Sequence, residues 1–175
     1  MVSVQYISTP DRFRSGIREI LLSVDDEFVP PLTGDSRDSV TRTGAEGGQT
    51  DIEGYVQRCV ERPLVGAIED GTLVGLLSFE QIDDAPLIEP LTPTNHVEIV
   101  AVRPEYRGQG LATEMYCYIL EELPSEVSRP YVSTKTWDSN TAHLEILDRL
   151  GFELVHREAD DRGPGIDTVY YARSV

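Results

Sequence analysis

The sequence almost lacks lysine, since 14 of its 15 basic residues are arginine and only Lys135 is lysine. Against them stand 31 acidic residues, which gives a net charge of −16. A chain this acidic repels nucleic-acid phosphates, so we expect no nucleic-acid partner. Acidic, lysine-poor surfaces are typical of halophilic proteins, whose carboxylates stay hydrated when salt screens their repulsion. Attraction of a cationic substrate is the alternative, although charge spread along the whole chain does not point to a site.

Long apolar runs are also missing, and cysteines are few. No run has the length of a membrane span or of a signal peptide, so we expect a cytoplasmic protein without a membrane partner. The two cysteines, Cys59 and Cys117, have no CxxC companion and no metal-ligand spacing to a histidine. We therefore expect no metal, and small apolar roles for both thiols.

The pattern of apolar residues predicts the element order β, α, α, β, β, β, α, β, α, β, β. Strand-like runs flank "EDG" at Glu69 to Gly71, which predicts a hairpin because Asp-Gly tolerates positive φ. "STPDRF" predicts a capped helix start, and residues 29–50 predict a flexible loop. This mixture indicates the α/β (α+β) class: one domain over residues 1–175, with a mixed sheet of about seven strands and about four helices.

The segment "VRPEYRGQGLA" places two glycines between a predicted buried strand and an amphipathic helix. The first amides of such a helix lack partners and carry the positive end of its dipole. Gly108 and Gly110 remove the Cβ atoms that would hold a phosphate away, Ala112 keeps the first turn small, and Arg107 offers a charged fork. The segment matches neither the P-loop, because Leu111 follows Gly110, nor the dinucleotide GxGxxG pattern. It nevertheless predicts an anion site.

Two motifs in this sequence resemble those of the GNAT family of acetyl-CoA-dependent N-acetyltransferases. One is RxxGxA in "RGQGLA", and the other is Asn140 followed eleven residues later by Gly151 and Phe152 in "NTAHLEILDRLGF". The resemblance covers nearly the whole chain and implies the GNAT-like acyltransferase fold, acetyl-CoA as co-substrate and a small-molecule or peptide amine as acceptor. A homodimer is left open. The cofactor-binding residues that the resemblance implies are Val100, Ala101, Val102, Arg107, Gly108, Gln109, Gly110, Leu111, Ala112 and Asn140.

The resemblance also implies that Glu98 is the general base. In the strand "HVEIVAV", side-chain alternation puts His96, Glu98, Val100 and Val102 on one face. A carboxylate in an apolar strand costs free energy unless it is paired or functional. The alternative for Glu98 is a solvated or salt-bridged carboxylate near the strand start. His96 is a second candidate base, although a surface histidine is the interpretation we favour.

One position departs from the family pattern. The family usually has a tyrosine as general acid where this chain has Leu147, which cannot donate a proton. Tyr116, Tyr118 and His143 are candidate substitutes, and Leu147 could equally be core. Asn140 could contact pantetheine or cap its helix.

These observations predict an N-acetyltransferase acting by direct attack of the amine in a ternary complex. The departure at Leu147 motivates the alternative of a degenerate acyl-CoA-binding or sensing module. A transferase of a longer acyl group is also left open, because no residue of "RGQGLA" is expected to select the length of the acyl chain.

Overall fold

The computed structural model describes residues 1–32 and 51–175, and its elements follow the predicted order. Within these residues there are four helices and seven strands. The helices are α1 (Arg14–Val24), α2 (Ile52–Glu61), α3 (Leu111–Glu121) and α4 (Thr141–Arg149). The strands are β1 (Ser3–Ile7), β2 (Leu64–Glu69), β3 (Thr72–Ile82), β4 (Thr94–Val102), β5 (Tyr131–Trp137), β6 (Glu153–Glu158) and β7 (Thr168–Ser174). No helix in this part of the chain is long and apolar enough to cross a bilayer.

The strands form one mixed sheet in the order β1-β2-β3-β4-β5-β7-β6. β4 and β5 pair in parallel, whereas β1 with β2, β2 with β3, β5 with β7 and β6 with β7 are antiparallel. The prediction of a mixed sheet with helices is therefore confirmed. The chain divides into two compact units, Met1–Ser78 with Ile99–Tyr116 and Phe79–Glu98 with Cys117–Val175.

In the first unit, α1 and α2 bury their apolar stripes in one core with β1 to β3. On α1, the side chains of Ile17, Ile20 and Leu21 are completely buried. The predicted cap at "STPDRF" is wrong: Thr9 makes no side-chain capping bond, and a 3-10 turn over Pro10–Phe13 precedes α1. That turn supplies the local backbone bonds that a capping side chain would otherwise have to make. The Asp-Gly hairpin turn between β2 and β3 is confirmed, with φ of 49° at Asp70 and 78° at Gly71.

The predicted flexible loop over residues 29–50 lies outside the described residues except for its first four. Those four follow a 3-10 turn, Asp25–Glu27, at the end of α1. The Leu32 amide donates to the Asp25 carbonyl at 3.2 Å, and the Leu32 side chain is buried. The beginning of the predicted loop is therefore anchored.

In the second unit, α4 ends in a Schellman motif that accounts for the Gly-Phe pair of the sequence. The Phe152 amide bonds the Leu147 carbonyl at 3.0 Å and the Gly151 amide bonds the Asp148 carbonyl at 3.1 Å. Gly151 has φ of 78°, a conformation that favours glycine, and Phe152 is buried. The second motif thus has a structural role at the end of this helix.

Candidate functional site

The glycine turn, residues 107 to 112, connects the end of β4 to the start of α3. A 3-10 turn over Pro104–Tyr106 leads into it. Gly108 has φ of 75° and Gly110 has φ of 79°, so L side chains are disfavoured at both positions. A Cβ at either glycine would meet no atom of residues 1–32 or 51–175 within 4 Å. With respect to these residues the space beside both glycines is open, as a close-approaching phosphate requires.

The backbone amides of this turn face no acceptor in the described part of the chain. The first helical bond of α3 runs from the Glu114 amide to the Gly110 carbonyl at 2.9 Å. None of the six amides from Gly108 to Thr113 donates a hydrogen bond within residues 1–32 and 51–175. These donors, together with the positive end of the α3 dipole, fit a diphosphate. The predicted anion site at this turn stays a prediction, and the turn has the donors that such a site requires.

Arg107 is the first residue of this turn, and its side chain forms a bidentate ion pair with Glu27. Its Nη1 donates to Oε1 at 2.6 Å and its Nη2 donates to Oε2 at 2.5 Å, while Nε donates to the Val102 carbonyl at 3.4 Å. Hydrogen bonding to Glu27 raises the pKa of Arg107. The predicted charged fork is thus present at the turn and is engaged by a carboxylate.

Neighbouring polar contacts brace the approach to the turn. The Tyr106 hydroxyl donates to Glu69 at 2.6 Å, which raises the tyrosine pKa and lowers that of Glu69. Arg103 donates from Nε to the Leu73 carbonyl at 2.9 Å and from Nη2 to Glu19 at 2.8 Å. These bonds tie the residues just after β4 to α1 and to the β2–β3 hairpin.

The burial pattern of β4 confirms the predicted alternation in the second half of the strand. Ile99 and Ala101 are buried, whereas Glu98, Val100 and Val102 are half-buried and share the other face. The carboxylate oxygen Oε1 of Glu98 is buried. Glu98 therefore lies within the strand rather than at an exposed start.

His96 is not a surface histidine, contrary to the interpretation favoured from the sequence. It is 5% exposed, and its Nδ1 lies 2.8 Å from the Ser133 hydroxyl of β5. Ser133 in turn accepts from the Thr94 hydroxyl at 2.9 Å. The burial has a physical reason, because Thr94–Val97 are the residues that pair with Tyr131–Thr134 of β5.

The candidates for a general acid are placed as follows. Leu147 is completely buried in α4, which is the core role that the sequence left open. Tyr116 is completely buried as well, and Tyr118 is half-buried. Burial lowers the pKa of His143 to about 4, so its imidazole is neutral near pH 7. His143 is therefore not a cationic proton donor at neutral pH.

Asn140 occupies the position just before α4, as the sequence predicted. Its side chain makes no capping bond to the helix, and instead its amide nitrogen donates to the Thr136 hydroxyl at 2.9 Å. The Asn140 carbonyl accepts the first helical bond, from the Leu144 amide at 3.0 Å. Of the two roles that the sequence left open for Asn140, side-chain capping of α4 is therefore not observed.

Two features of this region were not predicted from the sequence. Glu27 is one of three consecutive acidic residues after α1, and nothing local distinguishes it from its neighbours. The Thr94–Ser133–His96 hydrogen bonds join residues of two separate strands. A strand pairing predicted between residues 94–97 and 131–134 would have revealed the second feature.

Comparison with known proteins identifies the family. Residues 29–152 match the acetyltransferase (GNAT) family, so this chain belongs to that family. A comparison with curated proteins finds no match.

The fold is shared with solved structures at low sequence identity. A GNAT-family acetyltransferase from Bacillus cereus is 16% identical with a TM-score of 0.65, covering 99% of this chain and 97% of that one. The ribosomal-protein-S18-alanine N-acetyltransferase of Escherichia coli is 14% identical with a TM-score of 0.66, covering 100% and 94%. YncA of Salmonella typhimurium, solved with its cofactor acetyl-CoA, is 15% identical with a TM-score of 0.65, covering 99% and 94%. The prediction of acetyl-CoA as co-substrate is confirmed at the level of the family.

Proposed function

We propose that this chain is an acetyl-CoA-dependent N-acetyltransferase that acetylates a primary amine of a small molecule or peptide. The observation that carries the proposal is the run of amides from Gly108 to Thr113, which find no acceptor among residues 1–32 and 51–175, next to two positive-φ glycines with no described atom close to a hypothetical Cβ. Such a turn binds the diphosphate of coenzyme A without any basic cluster, which an acidic chain does not otherwise provide. We further propose that residues 1–175 act as one N-acetyltransferase domain.

In this proposal the backbone of the glycine turn anchors the cofactor. Gly108, Gln109, Gly110, Leu111 and Ala112 supply the amides, and Arg107 supplies its guanidinium. The main chain of Val100, Ala101 and Val102 supports the pantetheine arm and polarises the thioester carbonyl. Asn140 is proposed as a further pantetheine contact. Binding at these places holds the acetyl group ready for attack.

Glu98 is proposed as the general base. The carboxylate receives a proton from the acceptor amine, directly or through one water, so that the neutral nitrogen attacks the thioester carbonyl. The new C–N bond forms and the C–S bond breaks, leaving coenzyme A as a thiolate. The nitrogen, positively charged after the attack, loses its remaining excess proton to water, which gives the neutral amide. Because Leu147 is core and His143 is neutral at pH 7, we propose that the thiolate takes its proton from solvent.

Calorimetric titration with coenzyme A tests the binding half of this proposal. We expect saturable binding of coenzyme A and acetyl-CoA, and much weaker binding of pantetheine, which lacks the diphosphate. Screening primary amines for release of free thiol from acetyl-CoA then tests the transfer. Equal affinity for pantetheine and coenzyme A would contradict the proposed role of the turn, and a protein that binds neither would contradict the function.

The second candidate function is an acyl-CoA-binding or sensing module without turnover. The complete burial of Leu147 favours it, because the residue at the family's usual acid position is committed to the core. Binding of coenzyme A together with no thiol release from any amine would support this alternative. Comparing acetyl-CoA with succinyl-CoA in the same assay tests the longer-acyl possibility.

The charge balance supports a further proposal, a cytoplasmic protein adapted to high salt. Its net charge of −16 leaves many carboxylates to repel one another at low ionic strength. We expect the melting temperature to rise steeply with potassium chloride up to molar concentrations. A melting temperature that is independent of salt would contradict halophilic adaptation.

A further inference from the structure

Glu27 engages the guanidinium beside the glycine turn, and this contact bears on how the cofactor binds. Both oxygens of Glu27 accept from the two terminal nitrogens of Arg107, at 2.6 and 2.5 Å. We infer that Glu27 is a positioning residue that holds Arg107 in the free protein and competes with the cofactor diphosphate for it. This inference rests on the proposed function.

The geometry of the pair explains why the two anions would compete. The two terminal nitrogens of a guanidinium donate together to one oxyanion at a time, and carboxylates and phosphates both fit this geometry. Arg107 lies at the turn whose amides are open, so a diphosphate bound there comes within reach of its side chain. Both terminal nitrogens of Arg107 can then donate to the diphosphate only if their hydrogen bonds to Glu27 break.

Solvent exposure makes this exchange feasible. The side chains of Arg107 and Glu27 are 43% and 48% exposed, so separating them buries no charge. Exposed ion pairs contribute little to stability, so a bound diphosphate can displace Glu27 from Arg107. The carboxylate released from the pair returns to water.

A second ion pair on the same unit provides the contrast. Arg103 bonds Glu19 at 2.8 Å, but its side chain is only 17% exposed and its Nε is held by the Leu73 carbonyl. Arg103 is therefore fixed from two sides and braces the end of β4. The Glu19–Arg103 pair matches the Glu27–Arg107 pair in charge and serves as its control.

The test is a double-mutant cycle measured by calorimetric titration with coenzyme A at low salt. We expect Glu27→Gln to tighten binding about threefold, because the neutral amide no longer competes for Arg107. Arg107→Gln should weaken binding. In the Arg107→Gln background, Glu27→Gln should have no further effect, because its target is gone. Glu19→Gln should leave the affinity within about twofold of the wild type.

Each alternative outcome is distinguishable. An affinity that is unchanged or weakened by Glu27→Gln would overturn the inference and make the pair a simple structural contact. Equal tightening by Glu27→Gln in the Arg107→Gln background would overturn it in favour of general charge repulsion. If tightening disappeared with dephospho-coenzyme A, which keeps the diphosphate, the competitor would be the 3′-phosphate and the inference would again fail. A wild-type protein that does not bind coenzyme A would overturn the proposed function itself, whatever the variants do.

Discussion

Gly75 of β3 and Met115 of α3 are in close contact: a Cβ on Gly75 would lie 3.3 Å from the Met115 Cε. The same Cβ would lie 3.3 Å from the Ala67 Cβ and 3.4 Å from the Ala101 carbonyl oxygen. Met115 is completely buried. The absence of a side chain at Gly75 therefore determines how closely α3, and with it the glycine turn, packs on the sheet.

Enlarging Gly75 should destabilise the protein in proportion to the added volume. We expect Gly75→Ala to cost about 1 kcal/mol, because the flexible Met115 side chain can yield but the Ala101 backbone cannot, and Gly75→Val to cost about 3 kcal/mol. Urea unfolding measures both. Since the displacement acts on α3, affinity for coenzyme A should fall in the same order. A Gly75→Val protein as stable as the wild type would contradict the claim that the missing side chain at position 75 determines how closely α3 packs on the sheet.

The two turns with matched glycines allow backbone strain to be separated from phosphate binding. At Gly110, with φ of 79°, and at Gly71, with φ of 78°, a hypothetical Cβ would have no atom of the described chain within 4 Å. Alanine at either position should therefore cost a similar amount of stability, about 1–2 kcal/mol. Only Gly110→Ala should also reduce the affinity for coenzyme A, by about tenfold or more, because its methyl group occupies the approach to the amides. Equal affinities of Gly110→Ala and Gly71→Ala for coenzyme A would mean that Gly110 is required for the backbone conformation of the turn and not for binding the cofactor.

Features decided by local chemistry were predictable from the sequence. The Asp70-Gly71 hairpin and the glycine turn depend on backbone conformations that few residues adopt, so a dipeptide or a hexapeptide identifies them. The alternating burial in the second half of β4 followed from the period of the strand. For the same reason, the family motif and the position of Asn140 before α4 could be read from short segments.

Features decided by distant partners were not predictable. Arg107 and Glu27 are 80 residues apart, and the burial of His96 depends on Ser133, which is 37 residues away. The apolar period of one segment predicts its secondary structure, but it does not predict which distant strand will pair with that segment. The missing cap at Thr9 is a smaller case, because a 3-10 turn replaced the first turn of the predicted helix.

Removing the carboxylate of Glu98 should slow transfer without weakening cofactor binding. We expect Glu98→Gln to lower kcat/KM for the amine by about 100-fold at pH 7, the usual contribution of a general base, while the Kd for coenzyme A stays constant. The difference in kcat/KM between the wild type and Glu98→Gln should decrease as pH rises, because a larger fraction of the amine is then already neutral. The exposed Glu126, changed to Gln, controls for loss of one negative charge. An unchanged kcat/KM would contradict the proposed role of Glu98 as general base, but it would not contradict binding of the cofactor at the glycine turn.

The half-buried His143 should make stability fall in weakly acidic solution. Burial disfavours its imidazolium and lowers its pKa from 6.5 to about 4, so between these values the unfolded chain binds a proton that the folded chain does not. The stabilisation is therefore complete above pH 6.5 and is lost as pH falls towards 4, by at most about 3 kcal/mol.

His143→Gln removes this titration and isolates its effect from that of the carboxylates. Urea unfolding from pH 8 to pH 4 should show a shallower decline for the variant than for the wild type, with the difference confined to the interval below pH 6.5. At pH 8 both proteins carry an uncharged side chain here, so any difference there reports only packing. Parallel profiles across the interval would mean that the imidazole of His143 is protonated as readily in the folded protein as in the unfolded chain.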